Sequence, residues 1–115
     1  MPKNDNVYLG HMLDMARKAT SKVEGMSREQ YDADEDLRMV IAHLVQSIGE
    51  AAGRVSAPTR NLHPEIPWKQ ITGIRHRIVH DYMDVDYDVL WEVATRHLPQ
   101  IADQLEKIVP PEDVT

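Results

Sequence analysis

The chain has 115 residues, enough for one domain around a single core of modest size. It contains no Cys, which excludes disulfides and thiolate metal sites and fits a reducing cytoplasm. A formal charge of −6 argues against nucleic-acid binding through an overall basic surface, and no stretch approaches the roughly 20 apolar residues of a membrane span.

The N-terminal "MPKNDNVYLG" lacks the basic-then-apolar pattern of a signal peptide, so a cytoplasmic location is expected. Asn4 or Asp5 is suited to cap a first helix running to about Glu24, with Tyr8, Met12, Met15, Ala19 and Val23 recurring at helical steps. Gly25 is its stop signal. "SREQ" at 27–30 has the capping-box pattern and predicts a short turn of helix. A second long helix follows "DADED", whose acids suit the positive end of a helix dipole. Leu37, Ile41, Leu44, Ile48, Ala51 and Val55 give it a regular apolar seam, and Gly53 and Pro58 mark its end.

"APTRNLHPEIP" holds three prolines and reads as a loop. Pro67 fits a first helical turn, and a third helix is expected from there through Ile71, Ile74 and Ile78, ending near Tyr82. "DVDYD" signals the next start, with Asp86 as cap and Asp88 in the first turn. The fourth helix carries Leu90, Val93, Leu98, Ile101, Leu105 and Ile108, with a kink or break expected at Pro99. No segment alternates with period two. The expectation is therefore an all-α bundle of four main helices in one domain over residues 1–109, with a frayed tail over 110–115.

The charge distribution says more than its sum. Residues 51–80 carry Arg54, Arg60, Lys69, Arg75 and Arg77 against the single acid Glu65, so this segment is basic in an otherwise acidic chain. That pattern is compatible with one local anion site or with simple scatter. Within it, "RHRIVHDY" at 75–82 concentrates an arginine pair, two histidines and a tyrosine. On a continuous helix His76 and His80 would lie about 40° apart, and Arg75 and His80 about 140° apart. Arg75 and His80 can then meet over one substrate only through the long reach of Arg75, a distorted helix end, or a second copy of the cluster across a two-fold axis.

Several readings of this cluster stand side by side. Basic residues near a helix C-terminus complement its dipole. His76 and His80 have the i, i+4 spacing of a metal-binding helix, but Arg75 and Arg77 would repel a cation and the interior Glu of such motifs is absent. Metal-free phosphodiester chemistry needs a group that titrates near neutrality and a fixed cation facing the phosphate. His80 and Arg75 supply these. His11, His43 and His97 fall on other helices and are read as structural; Glu50 and Ser47 are assigned no chemistry.

The pattern of Arg, four residues, His, one residue, Tyr in "RHRIVHDY" resembles the signature of HepT-type proteins of the HEPN superfamily. "QSIGEAAGRV" resembles the family's second-helix segment, and "HPEIPWKQITGIRHRIVHDYMDVDYDVLWEVATRHLP" resembles its third helix, turn and fourth helix. The resemblance implies an up-and-down HEPN bundle that forms a homodimer, with the motif in the cleft between protomers. It implies a metal-independent ribonuclease toxin that needs no cofactor, acts on RNA, and uses Arg75 and His80 for catalysis. It implies further a minimal nucleotidyltransferase antitoxin as partner, which attaches AMP to Tyr82. His76 stands where the family commonly has Asn, so His76, with Arg77, is a candidate accessory to the acid–base work or to phosphate positioning. The alternative is a HEPN domain that keeps the fold and acts only as a binding or regulatory module. Tyr82 would then merely close the helix end or pack on Trp91.

Overall fold

The computed structural model describes residues 3–81 and 84–110, with the side chains of Lys3, His80 and Asp81 outside that description. Two long helices form the frame: α1 (Lys3–Val23) and α3 (Glu35–Arg54). They pack along each other, and α8 (Leu98–Glu106) lies against α1. The apolar stripes predicted from periodicity meet in one core. Met12, Ala19 and Val23 of α1 are buried with Ile41, Ile48 and Ala51 of α3 and Leu98, Ile101 and Leu105 of α8. Tyr8, Met15, Leu37 and Leu44 flank it, partly buried. Removing each large aliphatic side chain from water stabilises the fold by about 1.5–3 kcal/mol before entropy is counted.

The start expected for α1 is not the one observed: the helix already begins at Lys3, so Asn4 and Asp5 lie within its first turn, and the Asp5 carboxylate bonds Ser56 and Thr59 instead of capping. The other local signals act as predicted. Gly25 has φ 73°, the left-handed conformation that ends α1. Ser27 and Gln30 form both bonds of a capping box on α2 (Arg28–Ala33). Asp34 accepts from the Leu37 N–H at 3.0 Å and caps α3. On α2, Tyr31 is fully buried; its hydroxyl donates to the Tyr87 carbonyl at 3.0 Å and its ring meets Trp91 with centroids 4.7 Å apart. Burial pushes the Tyr31 phenol up to about 12, and Arg28, bridging Asp32 and Asp88, holds the same corner.

Three segments depart from the sequence reading. Residues 57–67 are not all loop: Ala57–Leu62 form a short helix, α4, with Pro58 in its first turn where a missing N–H costs nothing. Arg60 reaches back from α4 to the Val55 and Gly53 carbonyls at 2.9 and 3.1 Å, satisfying orphaned acceptors at the end of α3. The expected third helix is broken. It comprises α5 (Trp68–Thr72) and α6 (Ile74–Ile78), with Gly73 between them as cap of both, and it stops four residues short of Tyr82. The chain then turns extended, and β1 (Val79–Asp81) pairs antiparallel with β2 (Asp84–Val85). Most of the fourth rod is α7 (Tyr87–Glu92), a π-helical turn over Val93–His97, and α8. The π turn is the break expected at Pro99. The proline ring cannot donate to Thr95 and would collide with its carbonyl, and the wider turn relieves both. The described part of the chain is thus essentially all-α, with one two-stranded ladder at the motif. No described helix is long and apolar enough to cross a membrane.

Candidate active site

The site is built on the broken third rod. Trp68 anchors its start, buried and donating from Nε1 to the His63 carbonyl at 2.9 Å. Ile71, Ile74 and Ile78 bury the inner face of α5 and α6 against α3 and α7. Gly49 of α3 makes the approach close: a Cβ there would sit 2.9 Å from the Ile71 carbonyl oxygen and 3.0 Å from Ile74 Cγ2. With Ile74 and Ile78 inward, the three intervening residues Arg75, His76 and Arg77 all face solvent.

None of these three makes an ion pair or side-chain hydrogen bond among the described residues. The other arginines are mostly engaged. Arg17 pairs with Glu106, Arg28 with Asp32 and Asp88, and Arg38 lies over the Tyr87 ring. Arg54 lies over Tyr8, and Arg60 caps α3. The basic segment read from the sequence therefore splits in two. Arg54 and Arg60 lie at the end of α3, while Arg75 and Arg77 have no charged partner among the described residues.

His80 is not on the helix. Its backbone lies in β1, and the register pairs Val79 with Val85 and Asp81 with Asp84, so His80 is the extra residue of a bulge. The helical angles drawn between His80, His76 and Arg75 do not apply, and the i, i+4 argument for a metal-binding helix loses its geometric basis. The hairpin is held by the Asp86 N–H, which donates to the Ile78 carbonyl at 2.6 Å. Asp86 in turn accepts from the Val89 N–H at 3.0 Å and caps α7 as predicted. One residue so joins the end of α6, the return strand and the next helix. Tyr82 lies outside the described residues, as does the tail beyond Pro110. Trp91, named as an alternative neighbour for Tyr82, packs against Tyr31 with the two rings tilted by 51°.

Beside the motif a cleft of about 360 Å³ opens between the third rod and α8. Ile71, Ile74, Val93 and Ile101 contribute apolar lining, and Arg77, His97 and Gln100 contribute polar groups. His97, read from the sequence as structural, also lines this cleft. No linear signal links it to Arg77, twenty positions earlier, and its place depends on the π turn that it ends. Its imidazole Nε2 is 3.8 Å from Glu92.

The fold and site define a small helical protein that presents an exposed Arg–His–Arg row, without ion pairs among the described residues, directly before a bulged, histidine-bearing strand. Residues 12–108 match the family model described as "Ribonuclease HepT-like", and the chain belongs to that family. Among similar proteins, one named "Putative RNase" in Caldanaerobacter subterraneus subsp. tengcongensis is 30% identical, covering 93% of this chain and 96% of that protein. One in Methanocaldococcus jannaschii, similarly named, is 29% identical over 95% of this chain and 91% of its own. "Probable ribonuclease HepT" of Thermococcus cleftensis is 28% identical over 84% of this chain and 91% of its own. No solved structure matches.

Proposed function

We propose that the protein is a metal-independent endoribonuclease toxin of a type VII-like toxin–antitoxin system. The observation that carries this is the free, exposed row Arg75–His76–Arg77 immediately before the strand bearing His80, in a chain whose other arginines are mostly engaged. Family membership and the names of the relatives support the same reading.

RNA brings its own nucleophile. In this mechanism His80 takes the proton of a 2′-OH as its oxygen attacks the adjacent phosphorus, and the bond from phosphorus to the 5′-oxygen breaks. The leaving 5′-oxygen takes a proton from water and His80 releases the one it took to solvent, giving a 2′,3′-cyclic phosphate and a 5′-hydroxyl. Arg75 offers a planar fork to the phosphoryl oxygens as charge builds on them. His76 and Arg77 position the flanking phosphates. The functional unit is a homodimer that places two motifs in one cleft. A partner nucleotidyltransferase silences it by transferring AMP to the Tyr82 hydroxyl. Each transfer adds roughly one negative charge and a bulky base where RNA must approach, by the charge logic of phosphorylation.

The test is cleavage of end-labelled RNA by the purified chain in EDTA. Cyclic-phosphate and 5′-hydroxyl ends are expected. His80→Ala should lower the rate by about 10²–10⁴, the usual worth of a general acid–base. Arg75→Lys should rescue little of the loss in Arg75→Ala, because an ammonium lacks the bidentate fork. Activity that disappears in EDTA and returns with a divalent ion refutes the mechanism. Tyr82→Phe should cleave RNA yet escape the partner; an unmodified Tyr82 after incubation with partner and ATP refutes the control step.

A further inference from the structure

We propose that the cleft between α5–α6 and α8 is a nucleobase subsite, taking the base next to the cleaved phosphate, with His97 as a specificity-determining wall. This rests on the ribonuclease reading for its substrate but on separate residues for its geometry. The cleft connects to the motif through Arg77, a lining residue on the same short helix as Arg75, although a separation of two helical positions sets these side chains about 160° apart. Its volume of about 360 Å³ falls at the small end of the range for ligand pockets, roughly 300–1,000 Å³.

The lining chemistry matches a base better than a phosphate or an aliphatic chain. Ile71, Ile74, Val93 and Ile101 offer an apolar floor to a π-face, and planar His97 and Arg77 offer surfaces for stacking. Gln100 adds an amide that both donates and accepts, as the edge of a base requires. Single-stranded RNA is read in this manner, with bases unstacked onto His or Arg planes and hydrogen-bonded along their edges. Two features of the fold position the lining. The π turn over Val93–His97 sets His97 at its end, and Gly49 lets Ile71 and Ile74 approach α3 closely. The lining holds one cation, Arg77, which makes no ion pair among the described residues, and one acid, Glu65, so its formal charge is near zero, as suits an uncharged base.

The experiment is methyl NMR of the full chain, following Ile71, Ile74 and Ile101 during titration with the four nucleoside 5′-monophosphates, ribose 5-phosphate and inorganic phosphate. The nucleotides should shift all three methyl groups and bind at least about fivefold more tightly than ribose 5-phosphate, the lower end of what stacking one base contributes. His97→Ala should reduce that preference. Gln100→Trp, a change at an exposed helical position, should fill the cleft and abolish it. Should the Trp variant not fold, His97→Ala alone decides. Equal binding of ribose 5-phosphate and nucleotides overturns the proposal. So do Ile methyl groups that ignore nucleotides, or that shift with protein concentration alone because a second copy fills the cleft. Base binding in a chain that cleaves no RNA would uphold the subsite and refute the ribonuclease reading. Cleavage without base preference at either side of the cut would do the reverse.

Discussion

Replacing Gly49 with Ala tests whether the close approach of α3 to the third rod is what positions the motif. Two effects oppose each other. Ala in the middle of a helix is favoured over Gly by about 1 kcal/mol, so propensity alone predicts a more stable protein. The new Cβ, however, meets the Ile71 carbonyl oxygen at 2.9 Å and Ile74 Cγ2 at 3.0 Å. A side-chain methyl can rotate away, but the carbonyl belongs to the backbone of α5, so the helix itself has to move. Overpacking of this kind costs roughly 1–3 kcal/mol, with backbone displacement toward the upper end. The net expectation is a loss of about 1–2 kcal/mol. Gly53→Ala is the control: it lies in the last turn of the same helix and its Cβ would meet nothing within 4 Å. It should gain about 0.5–1 kcal/mol. Urea unfolding followed by circular dichroism reads both variants, and the midpoint change at constant slope gives the difference. Gly49→Ala should also cleave RNA more slowly than its stability explains, because α5 and α6 carry Arg75. A Gly49→Ala protein as stable as the wild type, or a Gly53→Ala protein equally destabilised, would refute the reasoning.

Tyr31→Phe deletes the hydroxyl that donates to the Tyr87 carbonyl and should cost about 1 kcal/mol at neutral pH, measured by the same unfolding assay. In the wild type, burial raises the Tyr31 phenol to about 12. Above about pH 10 an unfolded tyrosine ionises while the folded one resists, so this contribution to stability should fall as pH rises from about 10 to 12 and be missing in the variant. Asp5, buried at the start of α1, accepts from the Ser56 N–H at 2.9 Å and from the Ser56 and Thr59 hydroxyls, each at 2.5 Å. The Ser56 and Thr59 hydroxyls, followed by the Ser56 N–H, hold its carboxyl below the usual carboxylate range. Its contribution is complete above the unfolded value and is lost as pH falls through the lower folded one. Asp5→Asn should therefore flatten the acid limb of the stability–pH curve, and an unchanged acid limb would contradict the assignment.

Much of the helical content was legible because its determinants are local. The Ser27–Gln30 box, the caps Asp34 and Asp86 and the stop at Gly25 each act within three or four residues, and the apolar stripes of α1, α3 and α8 repeat at a period any reader can count. The motif "RHRIVHDY" is equally linear, so the family could be named from it, and the match over residues 12–108 agrees. The path of the backbone through that motif could not be read in this way. Residues 74–82 suit helical spacing throughout. What ends the helix at Ile78 is a bond from Asp86, eight residues further on, and a strand pairing that exists only once the chain has turned back. Pro58 reads as a breaker until Ser56 and Asp5 are seen at the start of α4, since a proline is acceptable in a first turn and nowhere later. The cleft is the clearest case. Arg77 and His97 come together only because the third and fourth rods pack side by side, with Gly49 admitting one and the π turn before Pro99 displacing the other. Local hydrogen bonding and periodicity are written along the chain, whereas the meeting of distant side chains depends on the distances at which whole helices pack.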